Sequence, residues 1–308
     1  MSRLVEISPE EYSPSAFAKF DPAKGVSLDN ARAMMWMSQL AYEAYRPGPS
    51  ATIQTVGDVW KFTSVVPIAK KQVGINATYD TCGVIGERDK AVIIAFAGTD
   101  PGVWQTIITD FTLRPRGDTH AGFQAAADAV RGEVAQAVAL SRAGAKPLFI
   151  TGHSLGAAIA AISALDGDAK PAAVYGFGMP RPGDARFHAR YTAALGDRTF
   201  RYVHGLDLVA RVPPSILPGT TGFRHVGRMF QCASGGKFDD AAPPSGLDSD
   251  DPPFAPELSD VLTAGLGALA AGHFFSPPGP GAFGSLFPFL PQPIRDHLQD
   301  RYWVALTP

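Results

Sequence analysis

Short apolar runs broken by polar turns alternate along the chain with stretches whose apolar residues recur every three or four positions. Leu28 to Tyr45 sets Met34, Met37, Ala41 and Tyr45 at that helical spacing, with Ser27 available as N-cap, which predicts a core-facing helix. Residues 77–86 and 91–97 are β-rich runs on either side of the polar break Glu87-Arg88-Asp89-Lys90, which predicts a hairpin. Further apolar runs lie at Pro147–Thr151, Ala172–Gly176 and Thr199–His204, and helical patterning at Gln124–Leu140 and Leu155–Leu165 separates or precedes them. Strand and helix in alternation predict an α/β fold, its central sheet mostly parallel and covered by helices on both faces.

Two segments depart from this rhythm. Residues 236–256 are polar, acidic and proline-rich and read as a surface excursion. Their Asp248, Asp250 and Asp251 lack the full calcium-loop pattern, so a solvated loop without metal is expected. A helical stretch at Glu257–Ala271 leads into Phe275–Pro293, where six prolines and three glycines accompany four phenylalanines. Connections of that length are either functional or disordered, and the four aromatic rings favour a shaped wall over about 274–293.

Composition removes several classes of function. The formal net charge is −2 and no run of five or more basic residues occurs, so nucleic acid is not an expected partner. No apolar run reaches the roughly 18 residues of a membrane span, and the first residues lack the apolar centre of a secretory signal. A soluble protein follows, cytoplasmic by default and secreted if a leader has been removed. Cys82 and Cys232 sit in no metal-binding spacing and are expected as two buried thiols; neither metal nor cofactor is implied.

The chemistry concentrates at Gly152-His153-Ser154-Leu155-Gly156, a G-x-S-x-G run entered by the apolar Pro147–Thr151 and left by the small-residue helix Leu155–Leu165. Strand, tight turn and helix form the context that exposes a nucleophilic serine. Such a serine needs a base oriented by a carboxylate, in the chain order Ser, Asp or Glu, His. His120, His153, His188 and His204 come too early for that order. Of His225, His273 and His297, the last follows a Pro-rich break near a helix start and is preferred; His225 reads as a structural histidine at a sheet edge. Asp207 closely follows the run Thr199–His204, where open α/β sheets place their chemistry, while Asp184 and Asp197 lie in polar loops. Oxyanion donors are expected from the N–H of Leu155 and from Thr99, at the end of the run Ala91–Ala97.

These residues resemble the class 3 lipase family, the fungal-lipase-like branch of the α/β hydrolases. Phe96-Ala97-Gly98-Thr99 is similar to its oxyanion strand end, His120-Ala121-Gly122-Phe123 to its His-x-Gly-Phe, and Gly152–Gly156 to its elbow. Gly178-Met179-Pro180-Arg181 resembles the loop that follows, Asp207-Leu208-Val209 the acid segment, and Asp296-His297 with Tyr302 the segment of the base. His225-Val226-Gly227 matches a non-catalytic segment. The pattern departs at Ala97, where the family usually has Arg, at Leu206 for Asn and at Ala210 for Pro. The resemblance implies an α/β-hydrolase fold with Ser154, Asp207 and His297 as triad and Thr99 and Leu155 as oxyanion donors.

Between Thr99 and His120, Asp100 and Pro101 can start a short helix over about 100–112. Val103, Trp104, Ile107, Ile108 and Phe111 then share one face. The residues alone also fit a helix docked permanently on the core; the resemblance favours a lid that covers the site in water and meets lipid when open. The triad spans positions 154 to 297, so one domain over 1–308 is expected. The expected activity is hydrolysis of carboxylic esters, acylglycerols or similar lipid-like esters, through an acyl-enzyme. The partners are a lipid or small ester and a lipid–water interface, without stable membrane insertion. Acyl transfer by the same triad and cleavage of aromatic, feruloyl-type esters are the alternatives.

Overall fold

The computed structural model of the protein describes residues 7–46, 51–73, 78–98, 115–166, 168–213, 222–239 and 292–308. Seven strands form one sheet: β1 (Ser64–Val73), β2 (Thr78–Arg88), β3 (Ala91–Phe96), β4 (Leu148–His153), β5 (Ala173–Phe177), β6 (Thr199–His204) and β7 (Arg228–Cys232). They lie side by side in chain order. The pairs β1/β2 and β2/β3 are antiparallel, and every pair from β3 to β7 is parallel. The hairpin expected over 77–97 is β2 and β3, turning at Asp89-Lys90.

The apolar strands are buried on both faces because period-two alternation feeds two cores. In β3, Ala91, Ile93 and Ala95 point into one core, and Val92, Ile94 and Phe96 into the other. The first core is closed by helices α1 (Leu28–Ala41) and α2 (Ala51–Val59) together with the C-terminal residues. The second lies under α3 (Ala121–Ala129), α4 (Arg131–Ala143), α5 (Leu155–Leu165) and α6 (Ala185–Leu195). The stretch expected as one helix over 124–140 is two, because Val130 leaves helical geometry at φ −102°, ψ 12°. A four-stranded accessory sheet of two-residue strands ties Pro115–Arg116, Thr119–His120, Gly183–Asp184 and Phe223–Arg224 together.

The helix predicted over Leu28–Tyr45 ends as an α-helix at Ala41 and continues as one 3₁₀ turn, Tyr42–Tyr45. In a 3₁₀ turn residues three apart eclipse one another. Tyr42 and Tyr45 therefore lie on one side, their ring centroids 6.2 Å apart, and reach the ends of β3 and β4 together.

Several expectations fall on residues outside those described: the lid with Val103, Trp104, Ile107, Ile108 and Phe111, the donor Thr99, the helix 257–271 and His273. The same holds for residues 240–256 of the excursion, including Asp248, Asp250 and Asp251, and for 274–291 of the wall. Among the described residues no helix is long and apolar enough to cross a membrane, and no group of three or more His, Cys, Asp or Glu could hold a metal ion. Cys82 and Cys232 are buried and unbridged.

Candidate active site

The site stands at the C-terminal ends of the parallel strands. β4 ends at His153, α5 begins at Leu155, and Ser154 makes the turn between them with φ 59° and ψ −131°. A positive φ on a residue other than glycine stores strain and marks a constrained position. The turn survives because its neighbours leave it no alternative. The Ser154 N–H donates to the Phe177 carbonyl at 2.9 Å, and a Cβ on Gly156 would stand 2.2 Å from the Phe96 carbonyl oxygen. Helix α5 can sit this close because Ala157, Ala158, Ala160 and Ala161 add little bulk. A Cβ on Gly98 would lie 2.7 Å from the Ser154 Cβ, which brings the residue before Thr99 against Ser154. Tyr45 fixes that strand end by donating its hydroxyl to the Gly98 carbonyl at 2.7 Å. Leu155 opens α5, so its N–H belongs to the helix turn that lacks intrahelical acceptors.

Asp207 follows β6 after the turn Gly205-Leu206 and is fully buried. Its Oδ1 accepts the Val209 N–H at 2.8 Å and its Oδ2 the Tyr302 hydroxyl. His297 lies between α7 (Gln292–Arg295) and α8 (Gln299–Ala305), fully buried, with Nδ1 2.8 Å from each Asp207 oxygen. Because the carboxylate accepts, Nδ1 is the protonated nitrogen and Nε2 carries the lone pair. Burial raises the Asp207 carboxyl, but the His297 imidazole, its hydrogen bond and the Tyr302 hydroxyl outweigh it and hold the group below the usual carboxylate range. Tyr302 shifts in the opposite sense, well above an ordinary phenol, through burial and then the Asp207 charge.

A second histidine binds the serine turn to the His297 segment. His153 Nε2 lies 2.9 Å from the His297 carbonyl, to which it can only donate, and Nδ1 lies 2.9 Å from the Tyr42 hydroxyl. Nδ1 is then the acceptor of the Tyr42 O–H in a neutral ring. Burial first, and the neighbouring His297 second, hold His153 well below the ordinary imidazole value, consistent with neutrality. The two rings lie 4.6 Å apart at 30°. Gly178, at φ 57°, completes the floor: a Cβ there would stand 2.6 Å from Asp207 Oδ2 and 2.8 Å from His297 Nδ1.

The residues not preferred for the triad have other partners. His225 Nε2 donates to the Ala210 carbonyl at 2.7 Å, the structural role expected of it. Asp184 caps α6 by accepting the Arg186 and Phe187 N–H groups, and Asp197 pairs with Arg228 on the surface. Sequence reasoning passed over His153, Tyr42, Tyr45 and Gly178 as parts of the site. His153 was signalled only by its place beside Ser154, Tyr45 only by its helical spacing, and Tyr42 by nothing in that spacing.

A nucleophile elbow at the end of a parallel sheet, beside a buried His–Asp pair drawn from later in the chain, is the arrangement of an α/β hydrolase. Residues 97–216 match the family described as Lipase (class 3), so over that stretch the chain is similar to the class 3 lipases. A secreted mono- and diacylglycerol lipase of Fusarium solani is 36% identical over 111 residues, 34% of this chain and 32% of that protein. The Rhizomucor miehei lipase is 30% identical over 171 residues, 49% of this chain and 45% of the relative. The chain thus spans less than half the length of these curated relatives. Among solved structures, lipase II from Rhizopus niveus aligns with a TM-score of 0.52 at 20% identity, covering 89% of this chain and 94% of that one. The mono- and diacylglycerol lipase from Aspergillus oryzae aligns at 0.51 and 22% identity, covering 73% and 87%. These alignments establish the α/β-hydrolase fold with its mostly parallel sheet.

Proposed function

We propose that the protein is a serine ester hydrolase that cleaves carboxylic esters of the acylglycerol kind through an acyl-enzyme, with Ser154, His297 and Asp207 as its triad. The observation that carries this reading is the buried His297–Asp207 pair, 2.8 Å apart, beside the strained turn that holds Ser154. His297 Nε2 takes the Ser154 hydroxyl proton as Oγ attacks the ester carbonyl carbon. Asp207 keeps Nδ1 protonated and balances the imidazolium that forms. The N–H of Leu155 and the donors of Thr99 receive the oxyanion, each such donor contributing about 10²–10³ in rate. His297 then gives its proton to the departing alcohol oxygen. Water, activated by the same Nε2, releases the acid and restores Ser154.

The names of the relatives, mono- and diacylglycerol lipases and a phospholipase A1 of Oryza sativa, support an acyl ester of a lipid alcohol as the substrate class. Relatives from Fusarium solani and Malassezia restricta are named as secreted, which supports secretion in place of the cytoplasmic default. Ser154→Ala and His297→Ala are expected to abolish p-nitrophenyl ester turnover, and Ser154→Ala also to abolish fluorophosphonate labelling. Labelling that persists in Ser154→Ala refutes the assignment. A panel of esters from short to long acyl chains with a feruloyl ester, assayed with and without an added alcohol acceptor, separates lipase, aromatic esterase and acyltransferase.

A further inference from the structure

We propose that Asp296 is a positioning residue that locks the segment bearing the base to the loop bearing the acid. This inference rests on the reading of His297 and Asp207 as base and acid. Asp296 is 1% exposed, and its carboxylate gathers donors from three separate segments. Oδ2 accepts the Leu206 N–H at 2.9 Å and the Ser234 hydroxyl, and Oδ1 accepts the Gln292 side-chain amide at 2.7 Å. His204 Nδ1 lies 3.4 Å from Oδ1. The Gly235 N–H donates to His204 Nε2 at 3.1 Å, so the neutral ring carries its proton on Nδ1, facing Asp296. Beside the Asp207–His297 pair the fold therefore builds a second buried His–Asp pair.

A buried carboxylate is costly unless it is well supplied with donors. The placement of these donors indicates what the supply accomplishes. Leu206 immediately precedes Asp207, and Asp296 immediately precedes His297. One carboxylate thereby grips the chain one residue ahead of the acid while its own backbone runs directly into the base. The His297–Asp207 bond closes the ring, so a shift of Asp296 changes the separation of the two groups the chemistry requires. A cap for α7 alone would need only the bond to Gln292, four residues earlier. Gly205 admits this arrangement: it sits at φ 55°, and a Cβ there would stand 2.3 Å from Asp296 Oδ2 and 2.3 Å from Ser234 Oγ. A side chain on Gly205 would push the carboxylate off the Leu206 N–H.

The test uses the full chain and four readouts: kcat and KM on a soluble p-nitrophenyl ester, fluorophosphonate labelling, Tm, and the low-field proton resonance of the His297–Asp207 hydrogen bond. Asp296→Ala is expected to lower kcat by about 10- to 100-fold with KM little changed, the scale for reacting groups displaced by about 1 Å, and to shift or remove the resonance. Asp296→Asn keeps an oxygen for the Leu206 N–H and is expected to restore most of kcat. Gly205→Ala is expected to reproduce the loss and carries the test with Asp296→Asn if Asp296→Ala does not fold. Variants that lower Tm but keep kcat and the resonance would show a structural carboxylate only and overturn the inference. Failure of the underlying reading looks different: Ser154→Ala would then keep turnover or labelling, whatever the Asp296 variants do.

Discussion

Replacing Tyr302 by Phe removes one oxygen and leaves the ring, which packs among Phe177, Phe238, His153 and His204 with centroids 5.7–6.3 Å away. That oxygen serves two fully buried partners: it donates to Asp207 Oδ2 and accepts the His204 N–H at 3.2 Å. A hydrogen bond to a charged group contributes about 1.5–3 kcal/mol, and a buried N–H left without a partner costs about 1–3 kcal/mol. Because the two terms share one oxygen and the site can relax, a total loss of about 2–4 kcal/mol is expected. The pH dependence has a defined sign. The folded Asp207 carboxyl lies below its unfolded value, so the stability it confers is present above about pH 4 and is lost as pH falls through the folded value. Tyr302 is one of the groups holding it down, so in Tyr302→Phe this contribution is expected to be smaller and its loss to be complete at a higher pH. Urea unfolding from pH 3 to 7 with constant m-value measures both effects, and kcat is expected to fall as the carboxylate loosens. A stability change below about 0.5 kcal/mol at pH 7 would refute the assignment of this hydroxyl as a support of Asp207.

Gly178→Ala drives a methyl toward Asp207 Oδ2 and His297 at a positive φ, so kcat is expected to fall by at least about tenfold while labelling at Ser154 slows in proportion; equal labelling rates would contradict the close approach. His153→Phe removes a neutral, buried imidazole that faces Tyr42, His297, Asp207 and Tyr302. A histidine held below its unfolded value destabilises the fold as pH drops below about 6.5, because the unfolded chain binds the proton more readily. The variant is expected to be less stable at pH 7 yet to lose less stability between pH 6.5 and 5; part of the slope remains because burial also depresses His204. An unchanged slope would place His153 outside this linkage.

The parallel centre of the sheet was legible because β4, β5 and β6 are buried on both faces and read as short, mainly apolar runs. The edges were not. β1 carries Pro67, Lys70 and Lys71, features that protect an edge from further pairing and also hide it from an apolar-run criterion. β7, Arg228-Met229-Phe230-Gln231-Cys232, mixes polar and apolar residues for the same reason. Within the site, the serine turn could be read from the pattern, since it sits between a strand and a helix that the pattern defines. Tyr42 and Tyr45 could not. Their approach depends on the 3₁₀ turn after Ala41, and nothing in the apolar spacing distinguishes it from one more turn of α-helix.

The site is held by two kinds of force, and they divide along the chain. The Ser154 turn is fixed by backbone against backbone: the Phe177 carbonyl takes its N–H, and the Phe96 carbonyl leaves no room for a Cβ on Gly156. Such constraints are short-range and steric, which is why a five-residue motif can announce them. The proposed base, His297, has no comparable frame, since α7 spans four residues and α8 seven, both too short to hold a position by themselves. Its place is set instead by side-chain bonds that cross between distant segments: His153 on its carbonyl, Asp296 on the Leu206 N–H, and Tyr302 on its partner Asp207. Substitutions at these residues act first on geometry between loops, so they should appear as losses of kcat before losses of fold. Substitutions at Gly156 force the elbow itself to move and should act on both at once.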